Sequence, residues 1–519
     1  MLKINLPEKK ALLAPVLFAA APVLSIWGQN IGQISPWEGL RPLVVALLAS
    51  ILVLGVLRLI LKDWARAALV VILFQVLFYS YGHLYHYFHL KPVFGVIVGR
   101  HRYMGPLWVL LMLAGTFWFV RKGKSASGLF TILNIAALGM LVLPLYQLGS
   151  YGLATLQANL NGFGKQPLSA LPLQPPEQLP DIYYIILDTY PRDDVLQLAF
   201  DLNNTEFLSQ LEGMGFYVAR CSQSNYNNTG VSLSSSLNLN YLDALEGQSI
   251  KRIDDLPAIT FAIRNNVAQK SLKALGYKTI AFETGYYWNQ IEGADYYLTP
   301  NRSLQELIRP TPLETLFIES TAVIMLDDLR EFLATFEYPY KEHIEREQFL
   351  LDELPKLPDI PGPKFAFVHV LIPHRPFVFT PSTPNNLRPR DQIINVTDVF
   401  IDDSVYKDQF ADQVKYLNQR LIPILQSLQS RSKVPPIIIL QGDHGPIVNG
   451  QRRVSILNAY YLPGIDQARL YPSISPVNTF RLVFNQYFGL QLPLLPDRTY
   501  LQPAQVNPVF EAREGCKPN

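Results

Sequence analysis

The sequence predicts an α/β domain, a mainly parallel sheet with helices on both faces, preceded by a bundle of five transmembrane helices. Three observations carry this. Long apolar runs crowd the first 150 of 519 residues. From residue 181 short apolar runs alternate with amphipathic ones, as in a sheet buried on both faces. Several of the short runs end on ionisable side chains, and open α/β sheets bind ligands beyond the carboxyl ends of their strands.

A span needs about 20 mostly apolar residues. Five runs qualify, near 11–28, 42–61, 67–84, 105–120 and 128–148. Trp108, Trp118 and Phe119 suit an interfacial belt at the ends of the short fourth run. Soluble helices would show polar faces that these runs lack. A cleavable leader over 1–28 is the alternative for the first run, with Lys3, Lys9 and Lys10 ahead of it and Ala19-Ala20-Ala21 as a weak cleavage site. Four spans follow in either case.

Basic residues set the orientation. Lys3, Lys9 and Lys10, then Arg58, Lys62 and Arg66, then Arg121, Lys122 and Lys124 fall on one side, the cytoplasmic one. Lys91, Arg100 and Arg102 fall on the other side and weaken the contrast. The expectation is a multi-pass protein of the cell (plasma or inner) membrane, its N-terminus cytoplasmic and everything after residue 150 outside. The outer segment 85–104 holds His86, His89 and His101, with His83 just before it. A histidine-rich segment can bind metal; the aromatics of "YGHLYHYFHL" favour an interfacial role.

The expected domains are a transmembrane domain over 1–150, a linker over 151–180 and an extracytoplasmic catalytic domain over 181–519. Pro167, Pro172, Pro175, Pro176 and Pro180 make the linker extended and stiff. The net charge of +2 carries no message about nucleic acid, and none is expected as a partner. The two cysteines, Cys221 and Cys516, are too few for a disulfide scaffold or a cysteine zinc cluster. Outside the cytoplasm a Cys221–Cys516 bridge is chemically reasonable.

In the outer domain, "IYYIILD" (182–188), "KTIAFE" (278–283), "FAFVHVLIPH" (365–374) and "PIIIL" (436–440) read as strands. "AQKSLKALGY" (268–277), "EREQFLLDELPKL" and 406–429 read as helices. Asp188 closes the first strand, His374 follows the third, and Asp443-His444 follow the fourth. Each has a bland reading: Asp188 as a helix N-cap, Asp443-His444 as a capped turn, His369 as a core histidine. Together they predict one site at one sheet edge. Two aspartates and a histidine suit one divalent ion, Mn²⁺, Zn²⁺ or Mg²⁺. A hydroxyl beside such an ion becomes a nucleophile near neutral pH. In "SNYNNTGVSLSSSLNLNYLD" (224–243), Thr229 opens a helix whose N-terminus favours an anion; Ser232 is the second choice. A Ser/Thr-capped structural helix is the alternative. Glycosylation sequons at Asn203, Asn227, Asn301 and Asn395 are taken as chance.

"YYIILDTYPRDDVL", "NYNNTGVSLSSSLN", "VHVLIPHRPFVF", "LQGDHGP" and "SILNAYYLPG" occur in an order that resembles the sulfatase-like branch of the alkaline phosphatase superfamily. The similarity covers about residues 181–490. With five spans ahead, the layout looks like lipoteichoic acid synthases and lipid A phosphoethanolamine transferases. The resemblance implies an alkaline-phosphatase-like fold. It implies Asp188, Thr229, Asp443 and His444 as metal ligands, Thr229 as the residue phosphorylated, and His374 as a contact to the phosphoryl oxygens or leaving group. Arg453 and Asn458 follow as substrate-side contacts. True sulfatases carry a C/S-x-P-x-R element, which Thr229-Gly230-Val231-Ser232 does not match, so phospho-group chemistry is expected over sulfate hydrolysis. With few histidines in the outer domain, one tightly held metal is expected. The implied function is a membrane-bound phospho-group transferase or phosphodiesterase acting on a membrane lipid or lipid-linked envelope glycan. Hydrolysis of phosphate or sulfate esters, and a non-catalytic protein binding a polyanion or glycan, are the competing readings.

Overall fold

A computed structural model describes residues 6–88, 92–93, 96–122, 127–161, 168–242, 256–301, 310–329, 338–382, 386–388, 403–446, 453–502 and 505–507. The chain divides into two compact units. One holds residues 1–153 and 302–339, the other 154–301 and 340–519. The expected boundaries at 150 and 181 therefore differ from the observed division, because a segment of the outer sequence returns to the first unit.

Five helices of the first unit are long and apolar enough to cross a membrane: α1 (Leu6–Asn30), α2 (Leu40–Leu61), α3 (Trp64–Phe88), α4 (His101–Lys122) and α5 (Ser127–Asn161). Their outward side chains are apolar and well exposed, among them Leu52, Leu59, Leu113 and Val142, as lipid contact requires. The helices associate through small and polar groups, the usual adhesive where lipid removes the hydrophobic drive. Gln75 Nε2 donates to Pro15 O (2.9 Å) and Ser50 Oγ (3.0 Å), and Ser50 Oγ donates to Pro15 O (3.1 Å), joining α3, α2 and α1. Lys62 takes a left-handed φ of 54° and closes α2 onto Arg58 O, while Asp63 caps the N-terminus of α3 through Arg66 N.

α5 runs through Asn161, eleven residues into the expected linker. "YGLATLQANLN" keeps apolar residues at helical spacing, and the prolines start only at Pro167. His86 lies inside α3 and His101 starts α4, so neither sits in a loop. Tyr81 OH meets His101 Nδ1 at 2.8 Å and Tyr85 stacks on the same ring at 4.3 Å, an aromatic packing role. His89 lies outside the described residues.

The segment 310–329 packs in this unit. Thr311 and Glu314 form a reciprocal capping box at the start of the helix Pro312–Glu319, and Glu314 also pairs with Arg41 at the start of α2. A Cβ on Gly82 would stand 2.3 Å from Glu319 O, so only glycine admits this approach. Ile324 packs with Tyr81 and Met104.

The second unit is built on seven strands: β1 (Ile182–Leu187), β2 (Tyr217–Val218), β3 (Lys278–Phe282), β4 (Tyr296–Leu298), β5 (Lys364–Val370), β6 (Ile437–Gly442) and β7 (Asn458–Tyr461). Their order is β2-β7-β6-β1-β5-β3-β4. The five strands from β6 to β4 are parallel; β7 runs antiparallel to both β6 and β2. The sheet is thus mainly parallel, with helices on both faces, as expected. Tyr183, Ile185, Leu187, Val368 and Leu440 face one layer, with the helices Tyr338–Glu353 and Asp403–Arg431. Tyr184, Ile186, Phe367 and Ile439 face the other, with Thr229–Leu237 and Pro476–Tyr487. At the amino end of the sheet, buried Lys364 pairs with Asp181 at 2.8 Å. The carboxyl end is reserved for a different set of groups.

Candidate active site

β1, β5 and β6 are adjacent and parallel, so their carboxyl ends bring Asp188, the 369–374 stretch and Asp443-His444 together. Two backbone features hold this edge. Thr189 adopts φ 63°, and its N–H donates to Asp443 Oδ1 at 2.9 Å, joining the β1 and β6 termini. A non-glycine residue in that region is strained and stays there only where its surroundings fix it. Gly442 passes so close to Tyr190 that a Cβ would stand 2.3 Å from its carbonyl oxygen.

Asp188, His369 and Asp443, all buried, place one potential ligand atom each within 4.8 Å of one another. His369 Nε2 lies 3.6 Å from Asp188 Oδ2, beyond hydrogen-bond reach. Asp188 Oδ1, Asp443 Oδ2 and His369 Nε2 have no hydrogen-bond partner among the described residues. Leaving such atoms unsatisfied costs about 1–3 kcal/mol each, more for charges. An ion at their common focus would satisfy all three, so the residues fit a divalent metal.

His369 thus corrects the reading of a plain core histidine. Its Nδ1 is met by Asn289 Nδ2 at 3.1 Å, which orients the ring and leaves Nε2 toward the carboxylates. The signal was in the strand's parity: Phe365, Phe367 and His369 alternate onto the face that packs against the Thr229 helix.

Thr229 is the first residue of its helix and is buried, with Asn228 as N-cap accepting from Gly230 N at 3.1 Å. Thr229 Oγ1 lies 3.1 Å from His444 Nε2. His444 Nδ1 donates to Gly445 O at 2.8 Å, so Nε2 carries the lone pair and the threonine hydroxyl donates to it. The same Nε2 is 3.5 Å from Asp443 Oδ2. Ser232, the alternative hydroxyl, donates to Asp443 O at 2.8 Å; it ties the helix to the β6 terminus.

Burial alone would raise the Asp188 carboxyl, but His374, His369 and His444 outweigh it and hold it below its usual range. Burial alone would lower His369, and the carboxylates of Asp188, Asp443 and Glu347 outweigh that. Glu347 was not foreseen. It is buried, accepts from Leu371 N at 3.0 Å, and burial pushes it up to about 7 against the pull of Arg346. His343, one turn earlier, is pushed down to about 3 by burial, with Arg346 adding to the effect. Both sit on the stripe of Leu350, Leu351 and Leu354, an unusual place for charge and the clue to find them.

His374 Nδ1 donates to Arg375 O at 2.7 Å, and His374 O accepts from Gln413 Nε2 at 2.9 Å. His374 lines a cleft with Thr189, Arg375, Tyr406, His444 and Arg453. Arg453 is therefore at the site; Asn458 is not. Asn458 is fully buried, and its amide bonds Ser222, Tyr460, Ile474 O and Gln441 inside the domain. Its side chain belongs to the network under the sheet edge, which corrects its expected role. Cys221 is disulfide-bonded; Cys516, the chain's other cysteine, lies outside the described residues.

The sulfatase family model matches residues 180–480, more than half of the chain. The chain belongs to the sulfatase family. No curated protein matches this sulfatase-family chain. Its fold is similar to the C-terminal periplasmic domain of EcEptC from Escherichia coli (11% identity, TM-score 0.42, covering 65% of this chain and 95% of that one). It is also similar to the integral membrane lipooligosaccharide phosphoethanolamine transferase A from Neisseria meningitidis (12%, 0.39, 92% and 95%), and to BT1596, a 2-O GAG sulfatase (11%, 0.38, 61% and 72%). The family assignment of this sulfatase-family protein rests on the family model.

Proposed function

We propose that the protein is a metal-dependent phospho-group transferase or phosphodiesterase, held in the membrane by α1–α5, that acts on a lipid headgroup or lipid-linked envelope glycan from the outer side. The observation that carries this is Thr229: a buried hydroxyl on a helix N-terminus, 3.1 Å from His444 Nε2 and beside the Asp188–His369–Asp443 cluster. Asp188, Asp443 and His444, with Thr229, would hold the ion, and His369 completes the set. When bound, the ion supplies positive charge that eases loss of the Thr229 proton and offsets charge on the phosphoryl oxygens.

The remaining roles belong to the chain. Thr229 Oγ forms a bond to phosphorus as the bond from phosphorus to the leaving oxygen breaks. His374, its Nδ1 proton held by Arg375 O, presents its Nε2 lone pair to take the Thr229 proton and pass it to that leaving oxygen. The first free N–H groups of the Thr229 helix face the phosphoryl oxygens. An acceptor hydroxyl, of a glycan, a lipid or water, then attacks phosphorus and frees Thr229 Oγ, which takes up the acceptor's proton. Arg453 binds the substrate beside His374. The basic residues at the start of α1, around the turn between α2 and α3 and at the end of α4, together with the disulfide at Cys221, support an outer location.

Thr229→Ala should lower turnover of a phosphodiester by about a thousandfold or more, while the circular dichroism spectrum stays at the parent level. Mass spectrometry after incubation with membrane phospholipids should find the added group on the peptide carrying 224–243. Turnover unaffected by Thr229→Ala would exclude the mechanism.

A further inference from the structure

The cleft above the Thr229–His444 pair is lined by basic and aromatic side chains. Arg375, Arg453, His374 and His444 face it, with Phe377, Tyr406 and Phe410 as its wall. Among the described residues, no carboxylate lines it. Asp188 and Asp443 lie beneath, turned toward the metal cluster.

Arg453 is the informative member. Its backbone carbonyl accepts from Gly445 N, so the turn after β6 holds it beside His444. Its buried Nε has no hydrogen-bond partner among the described residues. A guanidinium fork with an unsatisfied donor matches a carboxylate or phosphate, which can accept two parallel bonds. Arg375 reaches the same region. Burial raises the Tyr406 hydroxyl, and the charges of Arg375 and Arg453 pull it back, so both lie near that oxygen. The aromatics pack on one another instead of forming an open cage for a cation: Phe377 sits 5.3 Å from Tyr406, edge to face, and 6.0 Å from Phe410. Phe377 and Phe410 are almost fully buried.

We propose that the cleft takes a substrate bearing a second anionic group, a phosphate or a carboxylate, next to the phosphoryl group that reacts, with Arg453 as the residue that selects it. An ammonium-bearing headgroup would leave the Arg453 Nε donor without an acceptor. The assignment rests on the phosphoryl-transfer reading for the identity of the first group, but the selection is a property of binding.

The test uses the full chain in detergent, carrying Thr229→Ala to block turnover, and three 4-nitrophenyl phosphodiesters with propyl, 3-carboxypropyl or 2-ammonioethyl as the second ester group. Calorimetry should show the carboxypropyl ester binding about tenfold or more tighter than the ammonioethyl ester. Adding Arg453→Gln should bring that ratio close to one, and Arg453→Lys should restore part of it. If the anion belongs to the acceptor instead, glycerol 3-phosphate should outbind glycerol by a similar factor at saturating propyl ester, again only with Arg453 present. Either pattern supports the site. A preference for the ammonioethyl ester, or ratios near one for both pairs, or ratios untouched by Arg453→Gln, would overturn it. Turnover of the propyl ester by the Thr229 protein is measured in parallel. Its absence, with the binding order intact, would count against the enzyme reading and leave the anion selection standing.

Discussion

At the scale of single residues, the site is a set of polar atoms that burial leaves without partners. The sequence exposed Asp188, Thr229, His374, Asp443 and His444 because each closes or opens an element. His369 was hidden inside an apolar run, and Glu347 inside a helix stripe. Asn458 misled because a polar residue near a motif says nothing of which side of the sheet edge it serves. Glu347 yields a pH prediction. Its carboxyl holds a proton up to about 7 in the folded protein but loses it near the ordinary 4.5 once unfolded. The stability it confers is full below about 4.5 and is lost as pH rises toward 7, on the order of 3 kcal/mol over that window. Thermal unfolding of the chelator-treated protein should thus show wild-type stability falling between pH 5 and 7 relative to Glu347→Gln. Parallel curves would contradict it. Metal loading should weaken the effect, because a nearby cation favours the carboxylate.

At the scale of elements, the strands were the most legible. Continuous apolar runs marked β1 and β3 to within a residue, while the run read for β5 extended past Val370 and that for β6 stopped short of Gly442, since buried parallel strands need no polar face to mark their ends. β4 and β7 were not foreseen: three or four residues with tyrosines carry too weak a pattern. α5 overran its expected end because "YGLATLQANLN" keeps apolar residues at helical spacing past residue 150, and even Pro144 inside the helix does not stop it. The turn after β6 shows how local geometry serves the site. Gly442 lets the chain pass Tyr190 and aim Asp443 at the cluster. Gly442→Ala must push that carbonyl aside, so it should destabilise the protein by about 1–3 kcal/mol and lower metal affinity in a competition titration. Wild-type affinity in a folded Gly442→Ala protein would show that the close approach does not set the ligand geometry.

For the whole molecule, two units follow from two compositions. The membrane unit was readable from length and apolarity alone, and the sheet domain from alternating period. What no periodicity reveals is that 302–339 belongs with the first unit; amphipathic segments such as "PLETLFIE" fit either. The orientation is open to direct measurement. A cysteine at Gln33, between α1 and α2, should react with an impermeant maleimide in intact cells. One at Lys62, between α2 and α3, should react only after permeabilisation. The reverse pattern would invert the membrane topology.

The excursion of residues 310–329 bears on how the protein can be handled. Leu313 and Ile324 are almost wholly covered, and the cover includes the ends of α1, α3 and α4. A fragment begun at residue 168, the natural choice for a water-soluble enzyme, would carry these side chains with nothing to shield them. It should precipitate or need detergent, and replacing 310–329 with a short glycine-serine bridge should cure that.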